Sequence, residues 1–253
     1  MSPSAPAPQL AANKVLDDIS SFAAKRIAPD AFTYKRLERE AKSSLQQDAS
    51  VAYTALGALN AVSGKEELMH KYHKMAIDCR DDFLSRNNYA TSLQLMSRLS
   101  EAAEQCRLLV SKDAGNLKSL VNAINYTWQS GEISKAASLT NMYNKLVPND
   151  HDKYQNLMSA NNLQQKLEIT DEQVSHLTRI ACDYLRKHGI PIIGGELGID
   201  ADTDYETLSL SLLLDMPNQD IWAHNRKLFE IMMDEVPEQS AHLSVRLDRA
   251  HFA

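Results

Sequence analysis

The sequence predicts a mainly α-helical protein, an α-solenoid of antiparallel helix pairs followed by a small α+β C-terminal domain. Three observations lead there. Between residues 50 and 150 a set of large, small and glycine positions recurs at intervals of 33 and 34 residues, the period of stacked helical hairpins. Apolar residues keep a 3.6-residue period as far as His188, and from Ile190 onward the period becomes 2. Hydrophobic residues make up 43% of a chain of 253, enough to bury a substantial core.

Taken in order, residues 1–9 carry Pro3, Pro6 and Pro8 and read as a disordered leader. Residues 10–188 read as the helical-repeat domain. Its first two helices, at residues 10–27 and 30–46, are parted by Ala28-Pro29, with Asp30 as an N-cap. Repeat units follow near residues 50–82, 83–116 and 117–150. Residues 152–167 then read as one helix, and Thr170 with Gln173 forms a capping box opening another that stops at Gly189-Ile190-Pro191.

With Ser50 as the first residue of a unit, the fourth, seventh, eighth, fifteenth and twenty-seventh positions are Tyr53, Leu56, Gly57, Gly64 and Ala76. Gly57 lets two helices approach closely, Gly64 can take a positive φ at the turn, and Ala76 leaves room for a neighbouring unit. The second unit has Ala90 in place of Gly57, Ala102 at its twentieth position and Leu109 at its twenty-seventh. The third has Gly131 at its fifteenth, Ala136 at its twentieth and Pro148 at its thirty-second.

This pattern resembles the tetratricopeptide repeat. The resemblance implies a protein-binding fold in which the first helix of each unit lines a concave face. It would place Val51, Thr54, Ala58, Ala61 and Val62 on that wall, then Leu84, Asn87, Thr91, Gln94 and Leu95, then Lys118, Val121, Asn125, Trp128 and Gln129. The partner-binding groove implied is Asn87, Thr91, Gln94, Lys118, Val121, Asn125, Trp128 and Gln129, with the amides bonding a peptide backbone and Trp128 anchoring an apolar side chain. Thr54 and Ala58 stand where a carboxylate-clamping variant of the family has lysine and asparagine, so that ligand is not implied. The competing arrangement packs Trp128 against the helix after Pro148, closing the groove with the protein's own chain.

Beyond His188, strands are expected at residues 190–193, 208–214 and 241–247, and between the last two an amphipathic helix over residues 218–236, whose apolar stripe is Ile221, Leu228, Phe229, Met232 and Val236. Residues 189–253 thus read as a small acidic α+β domain whose sheet is covered by this helix and by the one ending at His188. Asp200, Asp202 and Asp204 alternate, with Glu196 before them, as at the start of a calcium loop. Tyr205 and Ser211 stand where that loop needs glycine and glutamate. No metal is therefore expected; Glu196, Asp200, Asp202 and Asp204 are the ligands a metal would use. Gly194-Gly195-Glu196-Leu197-Gly198 lacks the Lys-Ser/Thr ending of a phosphate loop and reads as a bulge or bend. His70 and His73, three apart, could face one metal, but without a third ligand they read as exposed polar residues. No cofactor is expected, and no catalytic motif is present.

Charge is unevenly spread: residues 1–188 hold 23 Lys plus Arg against 21 Asp plus Glu, and residues 189–253 hold 4 against 12. Such an acidic segment repels phosphate and attracts basic proteins, so nucleic acid is not an expected ligand there. No apolar run approaches the roughly 20 residues of a membrane span. Cys79, Cys106 and Cys182 form no Cys-x-x-Cys pair, which suits the reducing cytoplasm. The expected function is a cytoplasmic scaffold or adaptor, not an enzyme, gripping a partner protein on its repeats and making a second contact or a homodimer through edge strands of its acidic module. Two alternatives are a divergent metal-dependent hydrolase built on the acidic domain, and an immunity or regulatory factor that sequesters a basic protein.

Overall fold

A computed structural model describes residues 11–25, 27–200, 206–236 and 241–250. The expected leader, Asp202 and Asp204 lie outside these. Contacts divide the chain into two compact units, residues 1–96 and 97–253. The expected segment boundary at residue 188 falls inside the second.

The first unit contains α1 (Ala11–Lys25), α2 (Ala31–Ser43), α3 (Ala49–Val62), α4 (Glu66–Cys79) and α5 (Phe83–Leu95). Aspartates open three of them: Asp30 accepts from the Phe32 and Thr33 N–H groups, Asp48 from Val51, and Asp82 from Ser85 in a reciprocal capping box. Each satisfies donors that a helix start leaves orphaned. α3 is the hub, packed by α1, α2, α4 and α5. Its Val51, Ala55, Leu56, Ala58 and Leu59 share one core with Ala12, Val15, Ile19 and Leu37. This corrects the expectation that Val51, Thr54, Ala58 and Ala61 line an open wall: all four are buried, because α1 and α2 cover that side of α3.

The second unit contains α6 (Leu99–Lys112), α7 (Leu117–Gln129), α8 (Ile133–Leu146), a 3-10 segment (Pro148–Tyr154), α9 (Gln155–Lys166), α10 (Asp171–Lys187), β1 (Gly194–Asp200), β2 (Thr207–Leu214), α11 (Asn218–Glu235) and β3 (Leu243–Arg249). The helix expected over residues 152–167 thus starts only at Gln155. Asp150 leaves helical geometry at φ −123° and accepts a hydrogen bond from the Tyr143 hydroxyl at 2.5 Å. The Thr170–Gln173 capping box forms as expected.

Helices α3, α5 and α7 start at residues 49, 83 and 117, and α4, α6 and α8 at 66, 99 and 133. The connections from α3 to α4, from α5 to α6 and from α7 to α8 each hold one residue in the left-handed region: Gly64 at φ +68°, Ser97 at +56° and Gly131 at +88°. Around both glycines the next N–H reaches back to close the helix, Lys65 to the Asn60 carbonyl at 2.9 Å and Glu132 to the Thr127 carbonyl at 3.1 Å, which satisfies carbonyls the helix end would orphan.

The sheet runs β1-β2-β3. β1 pairs antiparallel with β2, and β3 pairs parallel with β2 after the α11 crossover. Alternation puts Leu208, Leu210, Leu212, Leu243, Val245 and Leu247 on one buried face, under α9, α10 and α11. Ser209, Ser244, Arg246 and Asp248 occupy the other. β1 lies four residues later than expected, on the glycine-rich stretch itself. The glycines fit a strand here because a Cβ at Gly195 would sit 3.1 Å from the Trp128 ring and one at Gly198 2.3 Å from Ser209 Oγ.

Both outer edges of the sheet are engaged by asparagines. β3 turns its even-numbered residues to β2, as in the bonds from Leu208 N–H to the His242 carbonyl and from Ala250 N–H to the Leu214 carbonyl, so Leu247 faces the free edge. There the Asn225 amide takes both groups: Leu247 N–H donates to Oδ1 and Nδ2 donates to the Leu247 carbonyl, each at 2.8 Å. On β1, Asn156 Nδ2 donates to the Leu197 carbonyl at 2.8 Å. An edge blunted this way resists strand addition. Asn225→Leu is expected to cost about 1–3 kcal/mol, because two backbone groups lose their partners. Urea unfolding checks this; a midpoint equal to that of the parent protein would show that the amide is dispensable.

Candidate functional site

Of the expected groove residues, α5 in the first unit carries Asn87 and Gln94, half-buried, and Thr91, exposed, whose hydroxyl donates to the Asn87 carbonyl at 3.0 Å. In the second unit α7 carries the other five. Lys118 is exposed, while Val121, Asn125, Trp128 and Gln129 are half-buried. Asn125 and Trp128 line a hollow of about 290 Å³ closed by Lys153, Tyr154, Leu157 and the β1 residues Gly195 to Leu197. β1 lies against the Trp128 ring at Gly195, an arrangement no sequence signal indicates, while the 3-10 segment after Pro148 closes another side of the hollow.

Two polar atoms beside this hollow are out of solvent and have no partner in the protein: the Tyr154 hydroxyl and Gln129 Oε1. Burial pushes the Tyr154 phenol up to about 12, helped by Tyr143 and Asp150, so it is a hydrogen-bond donor at any physiological pH. The Lys153 ammonium lies over the Tyr143 and Tyr154 rings, 5.0 and 5.5 Å from their centres. An aromatic floor, unpaired amide and phenol groups and a cation at the rim suit an inserted polar-aromatic or amide-bearing side chain.

A second cavity lies elsewhere. A cleft of about 630 Å³ lies between α10 and α11, lined by His176, Arg179, Tyr184, His188, Lys227 and Glu230 among others. Tyr184 Oη is 2.7 Å from His224 Nδ1, and the Tyr184 and His188 rings are 4.3 Å apart. Burial, then His188 and Lys227, lowers the His224 pKa, and burial raises that of Tyr184. Sequence spacing could not reveal this cluster, since Tyr184 and His224 are 40 residues apart and meet only because α11 packs on α10.

The remaining expectations resolve simply. His73 is not exposed: it is fully buried against Gly57, with Nε2 2.8 Å from Ser92 Oγ. Glu196 and Asp200 are exposed on β1, four residues apart and so roughly 13 Å from each other. Among the described residues no three His, Cys, Asp or Glu side chains are placed to hold a metal ion. Cys106 and Cys182 are buried free thiols pushed up to about 12, mainly by burial, and are poor nucleophiles. Among the described residues no helix is long and apolar enough to cross a membrane. No protein-family model and no curated protein matches the chain.

Proposed function

We propose that this chain is a cytoplasmic protein-interaction scaffold, a tetratricopeptide-like array whose hollow at Trp128 receives a side chain from a partner protein, with the acidic α+β layer making a second contact. The recurrence of helix starts at 49, 83 and 117, and of left-handed turn residues at 64, 97 and 131, supports the repeat reading. The hollow itself carries the binding reading: buried polar atoms are nearly always paired, and here the Tyr154 hydroxyl in its lining is unpaired, as is Gln129 Oε1 next to Trp128 in sequence. Both atoms are out of solvent, so a ligand that supplies an acceptor and a donor would satisfy them only as the side chains lining the hollow shift to admit it.

The test combines Trp128→Ala with Asn125→Ala. Partners recovered by affinity purification are titrated against both proteins, and the double variant is expected to bind at least about tenfold more weakly, as hot-spot truncations do, with an unchanged circular-dichroism spectrum. Equal affinities would rule the hollow out.

A further inference from the structure

The helix α11 is apolar on two sides. Ile221, Leu228 and Met232 are buried against the sheet, whereas Trp222, Phe229 and Met233 are 68%, 64% and 46% exposed. The sequence pattern places Phe229 with the buried set; the structure turns it outward. With Arg226 the exposed residues form one stripe at spacings of four, three and four, the seam of a helix that pairs with another helix. An 18-residue helix offers such a seam about 27 Å long. Beside its C-terminal half is an apolar hollow of about 480 Å³, lined by Leu228, Phe229, Met232 and Met233 of α11 and by Leu243 and Val245 of β3.

We propose that this face binds a second copy of the chain, α11 against α11 in antiparallel orientation about a two-fold axis. The acidic layer's second contact suggested above would then be with itself, although the inference does not depend on the hollow at Trp128. Two features of the same helix are complementary under that reversal. Trp222, the protruding ring, lies toward the N-terminal end, and the hollow lies toward the C-terminal end beside Met233, so each copy offers a knob where the other offers a hole. Arg226 stands one turn before Glu230 at the edge of the stripe, so reversal brings these two opposite charges together, whereas Lys227, Asp234 and Glu235 line the cleft toward α10. Arg226 and Glu230, now an exposed intrahelical pair at 3.4 Å with side chains 70% and 63% accessible, would each face the other residue of the second copy. A two-fold contact must be self-complementary in just this sense.

The sheet edges argue for the helix as the route. Pairing β3 with a second β3 would displace Asn225 from Leu247, whereas pairing through α11 leaves those bonds intact. A basic partner fits less well, because the stripe has Arg226 at its middle.

Sedimentation equilibrium of the full-length chain, from about 1 to about 100 μM, tests the idea. The expected result is a reversible dimer. Trp222→Ala should weaken it at least about tenfold without changing the circular-dichroism spectrum. Arg226→Glu should weaken it too, and Arg226→Glu combined with Glu230→Arg should restore it, which a merely structural role for these exposed side chains would not produce. A chain monomeric throughout that range would overturn the proposal, as would a dimer indifferent to Trp222→Ala, a charge exchange that fails to restore association, or a monomer that uses Trp222 to hold a different protein. None of these three substitutions touches the hollow at Trp128, so partner binding there and self-association can fail separately.

Discussion

Replacing Gly131 by alanine is expected to destabilise the second unit by about 3–5 kcal/mol, from the sum of two independent penalties. The first is backbone conformation: at φ +88° an L-residue is strained by about 1–2 kcal/mol. The second is space. A Cβ at this position would lie 2.6 Å from the Ser175 N and 2.8 Å from the Val174 carbonyl carbon, both backbone atoms of α10 that cannot rotate away. Relief requires α10 to move, and α10 also packs on β3 and α11. Gly64 supplies the control. It has φ +68°, and a methyl group placed there would meet nothing within 4 Å, so Gly64→Ala should show the conformational penalty alone. Both tryptophans, Trp128 and Trp222, belong to the second unit, so fluorescence-detected urea unfolding follows Gly131→Ala, and circular dichroism follows Gly64→Ala in the first. Equal losses for the two variants would mean that α10 yields to the methyl without cost.

Local signals in the sequence suffice where local physics decides. Caps at Asp30 and Thr170 and the turn glycines 64 and 131 locate those helices within a few residues. The turn at Ser97 carries no such mark because serine rarely takes a positive φ, although its place midway between the glycines is the stronger cue. β1 lies away from its expected position because glycine is depleted in strands, and the reason it is tolerated here, an indole and a serine pressed on the chain, lies 67 and 11 residues away. The candidate site is legible only in part. Asn125 and Trp128 do line a hollow, but its other walls come from the 3-10 segment and β1. The Tyr184–His188–His224 cluster and the second apolar face of α11 depend on how α10, α11 and the sheet pack, which no periodicity encodes.

The stability of the first unit is expected to fall steeply in mild acid because of His73. Its imidazole is 0% exposed, stacked on Tyr89 with ring centres 4.9 Å apart. A charged ring needs two acceptors, and this one has the Ser92 hydroxyl on Nε2 and no partner on Nδ1. Burial, with a smaller contribution from His70, lowers its pKa to about 3, against about 6.5 in an unfolded chain. Between those values the unfolded state binds a proton that the folded state refuses, so the unfolded state gains as pH drops. The contribution is therefore complete above pH 6.5 and is lost progressively down to about pH 3, at about 1.4 kcal/mol per pH unit, or roughly 2 kcal/mol by pH 5. Carboxylates such as Asp30 and Glu38, held below their usual range by hydrogen bonds from Thr33 and Lys42 respectively, add their own loss only in stronger acid. The window from pH 6.5 to 4.5 thus isolates the histidine. His73→Phe keeps an aromatic ring on Tyr89 but cannot titrate; it should lower stability at pH 7 by about 1–3 kcal/mol through the unpaired Ser92 hydroxyl and remove the slope in that window. If the variant and the parent lose stability in parallel from pH 6.5 to 4.5, the proton is being taken up elsewhere and His73 is not the acid-sensitive element of this unit.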